Sequence, residues 1–175
     1  MTYPSLRGAF ALGLTLFLLS GCTGVDDERL PNLPVNIRLG DTGLWNTYGV
    51  SGFGANRRFI RADGVREPRS FPFAENSATG FGGVLLISGM DPFSGATDIP
   101  LAYDLACPVE CDRDIRVEID PDTYSAVCPS CGSIYNVVTA AGSPLSGPAA
   151  SPSSPYGLRR YNCLPSGNGG YFITN

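Results

Sequence analysis

Apolar and polar residues alternate with a period of two over several short stretches of this chain, and no long stretch carries the period of a helix. Val35-Asn36-Ile37-Arg38-Leu39 alternates and predicts a first strand. Residues 40–80 have weak periodicity and many Gly, Asn, Arg and Pro residues; they read as a loop-rich excursion with one short strand near Arg58-Phe59-Ile60. Trp45, Tyr48, Phe53, Phe59, Phe71 and Phe73 are the side chains expected to pin that excursion to the core. Val84-Leu85-Leu86-Ile87-Ser88 is an apolar strand, residues 89–99 a turn-rich connection, and residues 101–105 the return strand. Arg116-Val117-Glu118-Ile119-Asp120 alternates, Pro121-Asp122 turns, Tyr124-Ser125-Ala126-Val127 runs back, and residues 134–138 form the next strand. Residues 142–157 are rich in Ser, Pro and Gly without periodicity and read as a surface loop. Residues 158–163 and 171–174 form a final hairpin across Ser166-Gly167-Asn168-Gly169-Gly170. No helix of ten residues and no repeat is legible, so the fold class is all-β, a small sandwich or barrel.

Composition agrees. The 22 glycines and 15 prolines make up about a fifth of the 175 residues, a share that suits short strands joined by many turns. All 12 basic residues are arginine, and the chain contains no histidine. Absent lysine removes Schiff-base and P-loop chemistry; absent histidine removes the commonest acid–base side chain and a common metal ligand. The net charge of −4, with no basic patch, argues against a nucleic-acid partner.

The chain opens with Arg7 and an apolar run of 11 residues, 9–19, too short to span a bilayer and suited to a signal peptide. Leu19-Ser20-Gly21-Cys22 follows and resembles a bacterial lipobox. That resemblance implies a signal peptide over residues 1–21, lipidation at Cys22, a flexible lipid-anchored tether over 22–33 and a β domain over 34–175. Similarity to known sorting signals, with Thr23 after the cysteine and Asp26-Asp27-Glu28 behind it, implies an outer-membrane lipoprotein, surface-exposed if the acidic run is an export signal. The membrane, through Cys22, is then one partner, and an envelope or redox protein the other.

Cys107, Cys111, Cys128 and Cys131 fall within 25 residues. Cys107-Pro-Val-Glu-Cys111 and Cys128-Pro-Ser-Cys131-Gly-Ser face each other across a β-patterned segment, a spacing that holds a metal, an iron–sulfur cluster or disulfides. Around them the chain carries Ala-Tyr-Asp before Cys107, then Val-Cys-Pro-Ser-Cys-Gly-Ser-Ile-Tyr-Asn-Val, Gly147-Pro148-Ala149 and Leu158-Arg159-Arg160-Tyr161. This order resembles a Rieske-type [2Fe–2S] domain over about 90 residues, 83–174, and is most similar to the Rieske-like lipoproteins of Bacteroidota. The family's second box reads Cys-Pro-x-His-Gly-Ser-x-Phe/Tyr-Asp. Carried over residue by residue, Cys107 and Cys128 match its cysteine ligands, Cys131 stands at one histidine position and Val109 at the other. The resemblance implies that the hydroxyls of Ser133 and Tyr135 hydrogen-bond the sulfurs of the site.

A true Rieske centre needs two histidines and is ruled out. Three sulfur chemistries remain. An all-cysteine [2Fe–2S] centre on Cys107, Cys111, Cys128 and Cys131 would carry electrons at about −400 mV. Zinc fits the Cys-x3-Cys, 16 residues, Cys-x2-Cys spacing and would be structural. Disulfides suit a domain outside the cytoplasm. Cys163 reads as a buried small hydrophobe. The functional expectations are an electron-transfer module or a non-catalytic structural or binding lipoprotein. A thiol–disulfide enzyme is disfavoured because strand-like sequence, not a helix, follows Cys128-x-x-Cys131.

Overall fold

The computed structural model describes residues 24–62 and 64–175. Its elements are β1 (Val35–Asp41), α1 (Thr42–Tyr48), β2 (Asn56–Ala62), β3 (Val65–Glu67), β4 (Ala78–Thr79), β5 (Val84–Met90) and β6 (Thr97–Asp104), then the short β7 (Glu118–Ile119), β8 (Ala126–Val127) and β9 (Ile134–Asn136), then β10 (Ser143–Ser146), a 3-10 turn (Pro148–Ala150), β11 (Arg160–Pro165) and β12 (Gly169–Thr174). Eight strands form one antiparallel sheet in the order β3-β2-β5-β6-β11-β12-β1-β4, and four form a second in the order β10-β9-β8-β7. The large sheet curls until its ends meet: the Arg61 amide on β2 donates to Thr79 Oγ1 on β4 at 3.2 Å. The Arg61 guanidinium also donates to the carbonyls of Ala74, Glu75 and Ser77. The protein is all-β.

Successive residues of a strand face opposite sides, so a continuous apolar run is buried on both faces. On β5, Val84 and Leu86 enter a core inside the curl, with Ile37, Leu39, Phe59, Phe71 and Ile173. Leu85 and Ile87 point the other way, into a second core shared with the small sheet through Ala126 and Tyr135 and with the flanking Val117 and Leu158. Phe59 and Ile60 on β2 split between the two cores in the same fashion. Cys107 and Cys128 belong to the second core.

Three segments differ from expectation. The 40–80 excursion contains a helical turn and paired strands: Asp41 Oδ1 caps α1 by accepting from the Leu44 amide at 2.8 Å, and Trp45 packs on Tyr171 with ring centroids 4.7 Å apart. Tyr48, Phe59 and Phe73 each stack edge-on to Phe71, whereas Phe53 meets Tyr124 beside the small sheet. The surface loop read over 142–157 includes β10, whose partner is β9. Its local pattern is masked because it is an edge strand containing Pro144, held by backbone pairing rather than by an apolar face. The expected flexible tether docks from residue 26. Asp26 pairs with the 155–157 backbone, Arg159 donates to the carbonyls of Glu28 and Leu30, and Leu30 is buried. The signal segment and Cys22 lie outside the described residues. Among the described residues, no helix is long and apolar enough to cross a membrane.

Candidate metal centre

Both cysteine loops are built on the same turn. In the first, the Cys111 amide donates to the Cys107 carbonyl at 3.0 Å; in the second, the Gly132 amide donates to the Cys128 carbonyl at 3.0 Å. Residue 111 and residue 132 both close the turn in the left-handed region, at φ 53° and 71°. That conformation suits glycine and strains cysteine. Cys131 therefore lies one residue before the closing position of its loop, and Cys111 occupies the closing position of the other.

The consequence is a group of three sulfurs. Cys107, Cys128 and Cys131 place their Sγ atoms within 4.8 Å of one another, and Cys107 Sγ and Cys131 Sγ are 3.7 Å apart. Cys107 and Cys128 are buried; Cys131 is half-buried. Cys111 stands apart from them. It is exposed, its thiol donates to the Pro108 carbonyl at 3.1 Å, and it accepts from Arg29 Nε at 3.3 Å. Arg29 in turn lies 4.0 Å above the Tyr156 ring. The Val109 side chain packs on the second core and has no atom that can bind a metal. Cys163 is remote from the loops, half-buried against the inner core, and burial pushes its thiol up to about 12.

Ser133 and Tyr135 lie against the sulfurs. The Tyr135 hydroxyl is 3.4 Å from Cys107 Sγ and Ser133 Oγ is 3.1 Å from Cys131 Sγ. Ser133 Oγ also accepts from the Ala149 amide at 3.1 Å, which ties the 3-10 turn beneath the second loop. Gly147 starts that turn at φ 78°, and a Cβ there would sit 2.8 Å from the Ser133 Cα. Only glycine allows so close an approach.

The thiols are driven in opposite directions. Burial raises Cys107 far above an ordinary thiol, against a weaker lowering by Tyr135. Cys131 is also raised by burial, but its hydrogen bonds with Ser133, Cys128 and Cys107 outweigh this and leave it below the ordinary value. A buried low-dielectric floor with one more acidic thiol at its mouth suits a cation, because a bound cation stabilises thiolates that burial alone disfavours.

One supporting group stands in the sequence only as part of the Ala-Tyr-Asp before Cys107, with no role attached. Asp104, fully buried at the end of β6, accepts from the amides of Phe81, Gly82 and Ala106 and from the Tyr161 hydroxyl at 2.6–2.9 Å. It clasps β11 and the 81–82 turn to the strand that delivers Cys107. Burial raises its carboxyl above the usual range, against the lowering effect of these four donors.

No family model matches the chain, and no curated protein matches it.

Proposed function

We propose that this protein is a non-catalytic β domain of the bacterial envelope that holds one thiophilic metal ion through Cys107, Cys128 and Cys131, with zinc as the ion. The supporting observation is the convergence of the three sulfurs. Two thiolates bound to one tetrahedral zinc at ~2.3 Å stand ~3.8 Å apart. The Cys107–Cys131 separation is 3.7 Å. A zinc ion held there would have three protein ligands, one fewer than a closed four-cysteine site, and would take a water or another ligand as its fourth. The bound ion would supply positive charge that holds three thiolates and locks the two loops together. Tyr135 and Ser133 would donate to those thiolates and fix their direction.

The arrangement suits a two-iron cluster less well. Such a centre takes four protein ligands, two on each iron, and Cys111 is engaged with Arg29 and Pro108. Envelope placement rests on the lipobox-like Leu19-Ser20-Gly21-Cys22, and a Rieske-like ancestry rests on the order of residues around Cys107 and Cys128. With a single zinc the domain would carry no electrons, and its role would be structural or binding.

A second reading has its own support in the same 3.7 Å contact. Cys107 and Cys131 could close a disulfide between the loops, giving up two protons and two electrons to a thiol–disulfide oxidant of the envelope.

The test is the full chain, exported through its own signal and purified without reductant or chelator. About one zinc per chain, with Cys107, Cys128 and Cys131 protected from alkylation until a chelator is added, supports the proposal. Two irons with absorbance between about 400 and 600 nm would replace it with an electron-transfer centre. A metal-free chain that is two protons lighter than its reduced form would replace it with the disulfide.

A further inference from the structure

Away from the cysteine loops, the connection between β5 and β6 and the connection between β9 and β10 enclose a groove of about 820 Å³. That volume lies in the range of small-molecule sites, ~300–1,000 Å³. Met90, Phe93, Ile99 and Leu101 give it apolar walls. Phe93 stands at its rim almost entirely exposed, at 98 %. An aromatic ring held in water at the mouth of an apolar groove has no role in packing the core.

Two polar groups give the groove a direction. Tyr103 forms part of its wall and is 1 % exposed, and its hydroxyl is buried without a hydrogen-bond partner. Buried hydroxyls are rarely left so, and this one is closed to solvent just behind the groove wall, so a ligand atom reaches it by displacing the side chains around it. Arg160 is the cross-strand neighbour of Tyr103, lines the same groove, and forms no salt bridge among the described residues. The one acid in the lining is already engaged. Asp91 accepts from the Phe93 amide through Oδ1 and from the Ser94 hydroxyl through Oδ2, within its own loop. Those bonds leave Asp91 its negative charge but turn both of its oxygens into the loop, so the positive charge of the lining is the Arg160 guanidinium and its unpartnered donor is the Tyr103 hydroxyl, both suited to a carboxylate.

We propose that this groove binds a small amphipathic carboxylate, its apolar body between Phe93, Met90, Ile99 and Leu101 and its carboxylate between Arg160 and the Tyr103 hydroxyl. The site is independent of the cysteine centre and does not rest on the metal. Binding closes the exposed face of Phe93 over the ligand body and gives the Tyr103 hydroxyl an acceptor.

The test is titration of the full chain with 2-naphthoate, followed by ligand fluorescence and calorimetry, with 2-naphthylmethanol and 2-naphthylmethylamine as neutral and cationic counterparts. Saturable one-to-one binding of 2-naphthoate is expected, with the amine at least about tenfold weaker and Arg160→Gln costing naphthoate a similar factor. Arg160 is exposed, so this variant should keep its thermal midpoint. Tyr103→Phe should weaken naphthoate severalfold without lowering that midpoint, since it removes an unpaired hydroxyl. No saturable binding overturns the proposal. So does equal binding of all three probes, or naphthoate binding that Arg160→Gln leaves unchanged, since either reduces the groove to a non-selective apolar surface. Cys131→Ser should leave naphthoate binding intact, which separates this outcome from the fate of the metal proposal.

Discussion

A single-residue difference in spacing separates Cys111 from Cys131. Each loop turns by the same bond from its fourth following amide to the first cysteine's carbonyl, and in the second loop the side chain one place before that amide, Cys131, meets Cys107 of the first. Cys131 holds this place in the second loop, and Glu110 holds the equivalent place in the first. Glu110→Cys should therefore supply a fourth sulfur, and the cobalt-substituted variant should bind more tightly than the native chain and show four-thiolate absorption. The thiols should also separate by reactivity. Without metal, Cys131 should alkylate at a lower pH than an ordinary thiol because its ionised form is hydrogen-bonded, and Cys107 should resist. Mass mapping of alkylated peptides across pH checks both. Tyr135→Phe should cost about 1 kcal/mol in denaturant unfolding by removing the partner of Cys107.

At the scale of elements, Asp104 connects three pieces of chain that the sequence keeps far apart. Tyr161→Phe should lower stability by about 1.5–3 kcal/mol, the range for a hydrogen bond to a charged group, measured by urea unfolding. The pH dependence has a definite sign. The carboxyl is raised in the folded protein, so the folded state holds this proton more tightly than the unfolded chain does. Its contribution is present below the ordinary carboxylate value and fades as pH rises through the raised one. Asp104→Asn should abolish that component, visible as a difference between the two stability–pH curves over mildly acidic pH. The lowered carboxyls of Asp91 and Asp120 act in the opposite sense and cancel in the difference.

For the whole molecule, the large sheet serves two cores, and neighbouring residues of one strand report on them separately. Leu85→Ala and Leu86→Ala should each cost about 2–5 kcal/mol. Leu85 shares its core with Cys107 and Cys128, while Leu86 faces the interior of the curl. Only Leu85→Ala should alter metal retention or the alkylation rate of Cys131. Equal effects from both would mean that the loops are coupled to the whole barrel rather than to the core they sit on.

Strand positions were legible where alternation or a continuous apolar run set them. Val35-Asn36-Ile37-Arg38-Leu39 lies in β1 and Val84-Leu85-Leu86-Ile87-Ser88 in β5, because burial on one face or on two writes itself into consecutive residues. The all-β class followed from those strands and from the turn residues between them. The two cysteine loops were legible as well, because they are short and local, whereas Ser133 and Tyr135 were expected beside them only through the resemblance. Tertiary structure alone decided the rest. Edge strand β10 and the docking of residues 26–30 depend on backbone partners far along the chain, which leave no periodic trace. The choice of Cys131 over Cys111 depends on where each loop closes, and counting residues cannot distinguish a sulfur that faces the opposite loop from one turned to Arg29. The Asp104 clasp and the groove beside Tyr103 and Arg160 exist only once strands distant in sequence are paired.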